Sequence, residues 1–165
     1  MARNQENAPV TLSVLDRLID EDPKSRSEAP LTRVQSVREL KSALKRDLEW
    51  LLNTKRTIDP APESASETVR SVYHYGFTDT SSKSVLSTRD QGELVREMEN
   101  AIANFEPRLK RARVRMEPME GNYRTLKFVI EGLLCMDPEP EAVRFDTLLE
   151  VGKGEYTIKG DDLAY

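Results

Sequence analysis

Two residue types that build metal and redox sites are almost absent from this chain. It has one cysteine, Cys135, and one histidine, His74, in 165 residues. A single cysteine excludes an internal disulfide and a cysteine-based metal cluster, and its place in the apolar run VIEGLLCMD predicts a buried thiol in a reducing compartment. One histidine among scattered carboxylates has no metal-ligand spacing, so we predict no metal and no other cofactor.

Nucleophilic catalysis and phosphate binding also lack their usual residues. A Ser-His-Asp site needs a base beside its nucleophile, and His74 lies between two tyrosines in VYHYG, which favours a packed or surface role. The seven glycines lie at turns and inside strands rather than in a phosphate-binding loop. We therefore assign no catalytic residue and expect a protein that is not an enzyme.

Long apolar runs and excess positive charge are missing as well. No run approaches the roughly 20 apolar residues of a membrane span, and MARNQENAPV lacks the apolar stretch of a signal peptide. With 25 basic and 29 acidic residues the net charge is -4, which removes the broad positive field that non-specific nucleic-acid binding needs. We expect a cytoplasmic protein with no membrane insertion and no nucleic-acid partner.

Residues 1–30 are predicted to be a flexible N-terminal segment with a short amphipathic helix. The helical spacing is carried by Leu12, Leu15, Leu18 and Ile19. Pro23 ends the pattern, and the Ser-rich, charged residues 24–30 are typical of a linker. The helix either docks on its own domain or lies in a groove of another protein, and the sequence leaves both open.

Residues 31–165 are predicted to form a single domain with two long helices. The first begins with Ser36 and Glu39 in capping-box spacing, and the second begins with Thr88 and Gln91 in the same spacing. The first apolar stripe is Val37, Leu40, Leu44, Leu48, Leu51 and Leu52, and the second is Leu94, Val95, Met98, Ala101, Ile102 and Phe105. Such stripes indicate helices that cover a sheet. Between them, TVRSVYHYG suggests a short helix ended by Gly76.

After Pro107 the apolar period changes from 3.6 to 2. Ala112, Val114 and Met116 alternate with Arg111, Arg113 and Arg115, which predicts a half-buried strand with one basic face. A turn at residues 120–122 leads to a second strand, whose shared face is Leu126, Phe128, Ile130 and Leu134. In the third strand the inward set is Val143, Phe145, Thr147, Leu149 and Val151, and EYTIKG is the fourth. The fold class is therefore α+β, a small, mostly antiparallel four-stranded sheet in meander order in the C-terminal half, packed against several helices.

The basic face of the first strand has two interpretations. The arginines can pair across strands with Glu131, Asp146 or Glu150, each exposed pair contributing about 0.2 to 1 kcal/mol. RNA binding would instead require aromatic residues interleaved with the basic ones, and this face offers only Tyr123. We prefer cross-strand pairing.

Glu106 stands alone between the second long helix and the basic strand. It can accept hydrogen bonds from Arg108 or a backbone donor at the helix end, or make a buried contact with a partner. As a catalytic acid of glycoside hydrolysis it would need a second carboxyl group about 5 to 10 Å away, and no second acid or aromatic cleft is marked. These alternatives stay open from the residues alone.

Five strings in order resemble the TssE family, the small baseplate subunit of bacterial type VI secretion systems. They are VLDRL at Val14 to Leu18, RDLEWLLNTKR at Arg46 to Arg56, SVYHYGFTD at Ser71 to Asp79, IANFEPRL at Ile102 to Leu109 and DPEPEAVRFDTLLEVGKGEYTI at Asp137 to Ile158. The resemblance covers residues 10–158. The same fold family includes the baseplate wedge protein of contractile-tail phages once labelled an acidic lysozyme.

The resemblance implies a structural, non-enzymatic protein at the membrane-docked baseplate, with TssF and TssG as wedge partners. It also implies strand exchange that templates the first TssB/TssC sheath ring around the Hcp tube, and we expect the accepting edge within 142–158. The family motif falls on Glu106, Pro107, Arg108 and Leu109, implicated in holding the subunit to the wedge core, with Glu106 and Arg108 projecting as a charged pair. The alternative function is a peptidoglycan-cleaving muramidase that uses Glu106.

Overall fold

Helices and one antiparallel sheet make up the described part of the chain. The structure is a computed structural model that describes residues 8–19, 24, 30–59, 62, 64–65, 67–68, 71–79, 87–117 and 124–160. The elements are α1 (Val14–Leu18), α2 (Arg33–Asn53), a 3-10 turn (Val72–His74), α3 (Thr88–Phe105), β1 (Leu109–Glu117), β2 (Thr125–Leu134), β3 (Glu141–Glu150) and β4 (Glu155–Lys159). The sheet order is β1-β2-β3-β4 with antiparallel neighbours, so the predicted α+β class and meander are confirmed.

Helix α2 begins earlier than the sequence predicts. Thr32 is the N-cap and forms the capping box with Gln35, whereas Ser36 was expected to start the helix. Ser36 is instead buried, where its hydroxyl accepts from the Val10 N–H at 2.8 Å and donates to the Arg33 carbonyl. The prediction was wrong because two capping sequences lie four residues apart, and the first one satisfies the helix end.

Helix α3 begins and ends close to its predicted bounds. Its N-cap is Ser87, one residue before the predicted Thr88, and the Ser87 hydroxyl accepts from the Asp90 N–H. Glu106 has left helical geometry at φ -119 and ψ 78, as expected of a residue that precedes proline. Both apolar stripes enter the core, where the fully buried members are Leu40, Leu44, Leu48, Leu51, Leu52, Leu94, Met98, Ala101 and Ile102.

The core lies between these helices and the inner face of the sheet. Phe128 faces Thr147 and Ile130 faces Phe145 across the β2–β3 pair, so the predicted faces meet in register. The buried inner-face residues are Val114, Phe128, Ile130, Leu134, Val143, Phe145, Thr147, Leu149, Tyr156 and Ile158. Val151 lies in the turn after β3 rather than in the strand.

A β-bulge interrupts the regular alternation in β1. Lys110 pairs with Leu133 and Arg113 with Glu131, so two residues of β1 stand opposite one residue of β2. Arg111, inside this bulge, has a positive φ of 54. The extra residue reverses the phase of the strand, because one residue shifts which face each side chain occupies. Leu109 and Val114 are therefore both buried, although simple alternation would place Leu109 with the arginines.

The outer face of the sheet carries an ion-pair network. Arg115 bonds Glu131 at 2.5 Å, which confirms the predicted cross-strand pairing for that arginine. Lys127 lies 2.9 Å from Glu117 and 2.7 Å from Asp146, and Glu117 was not foreseen as a partner. We call the six residues Glu117, Lys127, Glu131, Arg144, Asp146 and Arg115 the outer-face network.

Two further sequence predictions need correction. Cys135 is exposed rather than buried, because it follows Leu134, whose side chain is in the core, and the next side chain along a strand points the opposite way. The predicted helix in TVRSVYHYG is reduced to the 3-10 turn. The predicted turn at 120–122, Pro23 and Tyr123 fall outside the described residues. Among the helices that the structure does describe, none is long and apolar enough to cross a membrane.

Candidate functional site

The turn between α3 and β1 is built by Pro107. The Glu106 N–H makes the last helical bond, to the Ile102 carbonyl at 2.8 Å, and Pro107 has no N–H with which to continue the helix. The Leu109 N–H then donates to the Glu106 carbonyl at 3.2 Å. This tight turn folds Arg108 back over Glu106.

Glu106 and Arg108 form a two-pronged ion pair. Arg108 Nε donates to Glu106 Oε1 at 2.7 Å and Nη2 donates to Oε2 at 2.5 Å, while the Arg108 backbone N–H also reaches Oε1 at 3.2 Å. Glu106 is only 4% exposed. Its hydrogen bonds raise the pKa of Arg108 further above the ordinary value, against the opposing effect of burial. Paired geometry of this kind makes a strong charge-assisted contact.

The ion pair continues onto α2 and α1. Arg108 Nη2 also donates to Asp47 Oδ2 at 2.6 Å, and the other Asp47 oxygen accepts from Arg46 Nε at 2.9 Å. Arg46 Nη2 lies 2.7 Å from Asp16 Oδ1, and Asp16 Oδ2 accepts from the Ser13 hydroxyl. We call Ser13, Asp16, Arg46, Asp47, Glu106 and Arg108 the corner network. It connects α1, α2 and the α3–β1 turn through one chain of alternating charges.

Asp16, at the α1 end of the network, has a lowered pKa. Burial alone would raise the pKa of Asp16, but hydrogen bonds from Ser13 and Arg46 and the positive charge of Arg46 together lower it. The network therefore favours the ionised carboxylate at the α1 end.

An apolar cleft of about 340 Å³ opens beside the corner network. Leu15 of α1, Trp50 of α2 and Pro107 line it together with Tyr75 and Phe105. Trp50 is 54% exposed and has the Arg46 guanidinium carbon 5.1 Å from its ring centroid. Burial, followed by the charges of Asp47 and Glu106, raises the pKa of Tyr75.

The predicted motif residues divide into buried and exposed members. Glu106 and Leu109 are buried, Arg108 is half-buried and Pro107 is exposed. The expected projection of Glu106 and Arg108 as a charged pair is wrong, because the turn directs Glu106 inward, where Arg108 and Asp47 close over it. Of the four motif residues, Pro107 is the one that is exposed to solvent.

Helix α1 brings the second predicted site next to the first. Leu12 packs against the core, whereas Leu15, Leu18 and Ile19 are about half exposed or more. Leu15 lines the same cleft as Pro107. Docking on its own domain, one of the two expected alternatives, is therefore seen for the Val10 to Asp16 part, and it leaves an apolar edge uncovered.

Three residues of α2 at this site were missed from the sequence. Arg46, Asp47 and Trp50 are polar or aromatic residues of RDLEWLLNTKR, and they lie outside its apolar stripe. A usable signal was the four-residue spacing of Arg46 and Trp50, which places both on one helix face. Asp47 lies 61 positions from Arg108 in sequence, so nothing local indicates their contact.

The contacts of this site fasten neighbouring elements to one another. Both Glu106 oxygens are held by Arg108, and the Asp47 carboxylate accepts from the same guanidinium. No group of three or more potential metal ligands occurs within the described ranges. The chemistry of the corner is thus ion pairing that ties two helices and a strand together.

The part of the chain that contains this corner matches a known protein family. A family model described as baseplate wedge protein gp25 matches residues 38–139, more than half of the chain. The chain belongs to the baseplate wedge protein gp25 family. The matched range runs from α2 to the loop before β3 and includes all of the Glu-Pro-Arg-Leu turn. No curated protein matches the chain.

Membership of the gp25 family gives this wedge protein a structural role in a baseplate, in association with other baseplate components.

Proposed function

We propose that this wedge protein is the TssE subunit of a type VI secretion baseplate and connects the wedge to the contractile sheath. The family match over 38–139 carries the proposal, because that range contains the Glu-Pro-Arg-Leu corner. Its place is the cytoplasmic face of the membrane-docked baseplate. Its partners are TssF and TssG on the wedge side and TssB/TssC on the sheath side, with the Hcp tube reached indirectly.

The wedge contact is assigned to the surface around the corner. Glu106, Arg108 and Leu109 act by holding the turn, since they are buried or half-buried. Pro107, Trp50 and the exposed residues of α1 supply the apolar surface that a partner helix would cover. Aromatic residues in such positions often dominate interface energies. In this arrangement Leu15, Leu18 and Ile19 extend the surface that Pro107 begins.

Sheath templating is assigned to the sheet. An edge strand offers backbone donors and acceptors to an extended segment of another chain, and side-chain pockets then set the register. β4 is the edge strand within the 142–158 region from which we expect strand exchange. The first ring of TssB/TssC would be built on this pairing.

Co-purification with TssF and TssG tests the wedge contact. Trp50→Glu places a charge on the cleft rim and is expected to lower recovery of TssF and TssG by at least tenfold. Ile58→Glu is the matched control, because Ile58 is 95% exposed and lies away from the cleft, and it should leave recovery unchanged. Equal melting temperatures of both variants would show that the domain is intact. Full recovery with Trp50→Glu would remove this surface from the proposal.

We propose no catalytic role for Glu106. A glycosidase acid must reach its substrate, and this carboxylate is buried with both oxygens bound by Arg108. The purified chain is expected to release no peptidoglycan fragments in a turnover assay. Robust release that Glu106→Gln abolishes would establish the muramidase alternative instead.

A further inference from the structure

The free edge of β4 is occupied by side chains of α2. Pairing in an antiparallel sheet uses alternate residues, so Tyr156 and Ile158 direct their backbone groups away from β3. The Tyr156 N–H donates to Asn53 Oδ1 at 2.8 Å, and Asn53 Nδ2 donates to the Tyr156 carbonyl at 2.9 Å. The Ile158 N–H donates to Glu49 Oε1 at 3.3 Å. Three outward backbone groups of β4 are thus already bound.

Asn53 imitates one residue of a neighbouring strand. Its amide offers one acceptor and one donor to the same residue, which is how a paired strand satisfies its neighbour. Glu49, one helical turn earlier on α2, supplies the next acceptor along the edge. The spacing of four residues on the helix therefore covers a spacing of two residues on the strand.

The end of α2 is held in place for this contact. Gly76 has a φ of +113, and a Cβ there would lie 2.4 Å from the Thr54 carbonyl oxygen, so only glycine permits this close approach. The Phe77 N–H then donates to that carbonyl at 2.7 Å. The ring of Phe77 meets Tyr156 edge-on at 5.6 Å. Asn53 is therefore held beside Tyr156 at the rim of buried packing between Phe77 and Tyr156.

The edge at β1 is less completely covered. Within the described residues, Glu99 of α3 accepts from the Val114 N–H at 3.0 Å, a single side-chain bond compared with three at β4. A carboxylate also lacks the donor that Asn53 provides. The side chains at the β4 edge therefore reproduce the hydrogen bonds of a neighbouring strand more fully than Glu99 does at the β1 edge.

We propose that Asn53 and Glu49 form a removable edge cap that keeps β4 closed to strand addition in the free protein. An incoming extended segment must offer carbonyls to the N–H groups of Tyr156 and Ile158 and an N–H to the Tyr156 carbonyl, so it competes directly with these two side chains. The inference rests on the strand exchange proposed above and adds its regulation. Another strand can pair with β4 only after the Asn53 and Glu49 side chains have left these backbone groups.

The test uses the purified full chain without other proteins, so that the strand that can add to β4 comes from a second copy of the same chain. In the Glu49→Ala/Asn53→Ala double variant, amide hydrogen exchange at Tyr156 and Ile158 is expected to rise by roughly fivefold or more, as for a lost hydrogen bond. The variant should also form dimers or larger species with rising concentration, measured by light scattering. Glu39→Ala is the matched control, because Glu39 is an exposed glutamate on the same helix.

Unchanged exchange at both amides, or a variant that exchanges fast yet stays monomeric at all accessible concentrations, would overturn the edge cap. Asn53→Asp keeps the size and the acceptor but not the donor, so it serves if the double variant does not fold, and it should give a smaller rise in exchange at Tyr156. Binding of TssB/TssC is measured separately. A variant that self-associates but binds no sheath subunit would support the cap and contradict the proposed templating.

Discussion

The corner network and the outer-face network are built from similar types of charged side chain in different surroundings. Glu106 is buried and its carboxylate is fully engaged, whereas Arg115 and Glu131 remain largely in contact with water. Removing one partner of a buried pair leaves an uncompensated charge, at a cost of about 3–5 kcal/mol. Removing one partner of an exposed pair costs about 0–1 kcal/mol. Burial, rather than the number of ion pairs, decides which network fastens the fold.

The outer-face network covers apolar surface on the second face of the sheet. Val129 faces outward between Arg115 and Asp146 in the register, yet it is 0% exposed. Long charged side chains cover apolar surface with their aliphatic stems while their ends stay in water. The outer-face network thus shields the second face of the sheet, and the corner network sets the angle between α3 and β1.

Glu106→Ala is expected to have the largest effect on stability. The free energy of unfolding should fall by about 2–4 kcal/mol, because half-buried Arg108 loses its charge-assisted hydrogen bonds to Glu106 and retains the one to Asp47. Urea denaturation followed by fluorescence of Trp50, the single tryptophan, measures it. Glu93→Ala, which removes the exposed pair with Arg89 on the same helix, is the control and should cost under about 0.5 kcal/mol. Similar losses in both variants would erase the distinction between the networks.

Arg108→Lys comes next, with an expected loss of about 1–3 kcal/mol. The charge remains, but a lysine cannot donate to both Glu106 oxygens and to Asp47 in one plane. The same denaturation measurement applies. Arg115→Lys on the outer face should leave the free energy of unfolding nearly unchanged. An equal loss there would show that the planar guanidinium of Arg108, which bonds Glu106 and Asp47 together, is not what makes the corner sensitive.

The pKa values of Asp16 in the corner network and Asp146 in the outer-face network should respond differently to salt. Hydrogen bonding to Lys127 lowers the pKa of Asp146, and Ser13 and Arg46 lower that of Asp16 against the effect of burial. Both folded-state values lie below the unfolded value near about 3.9, so each contribution is present above that pH and is lost as the pH falls through the folded pKa. Carboxyl NMR titration at low salt and at about 1 M salt should show the Asp146 shift shrinking more, because its side chain is 21% exposed and that of Asp16 is 9% exposed, and salt screens the more exposed charge more strongly. An equal response would place both carboxylates in the same environment.

Arg115→Ala is expected to have the smallest effect. It removes one exposed pair with Glu131, so the free energy of unfolding should fall by no more than about 1 kcal/mol, and by less at high salt. Denaturation at two salt concentrations measures this. A loss above about 2 kcal/mol that salt does not change would show that Arg115 acts chiefly through covering Val129.

Much of the fold was predictable because its signals are local. The apolar stripes of α2 and α3, the stop at Pro107 and the alternation in β2 and β3 each depend on neighbouring residues. The choice between Thr32 and Ser36 as helix cap was not decided locally, because both begin acceptable capping sequences. The inward direction of Glu106 depends on Asp47, whose contact with Arg108 spans 61 positions. The position of the turn was therefore predicted from sequence, while its contacts with α2 required the tertiary structure.

The β1 bulge holds one residue more than its pairing with β2 requires. Leu109 packs so closely over the sheet that a Cβ on Gly132 would lie 2.7 Å from its Cδ1, and the bulge residues Arg111 and Ala112 stand opposite that glycine. Deleting either bulge residue would leave Leu109 and Val114 four positions apart, and regular alternation would then keep both on the inner face. A related chain with one residue fewer between 110 and 113 is therefore expected to bury the same two positions, so an alignment gap there would mark a wedge protein with a regular first strand rather than an altered corner.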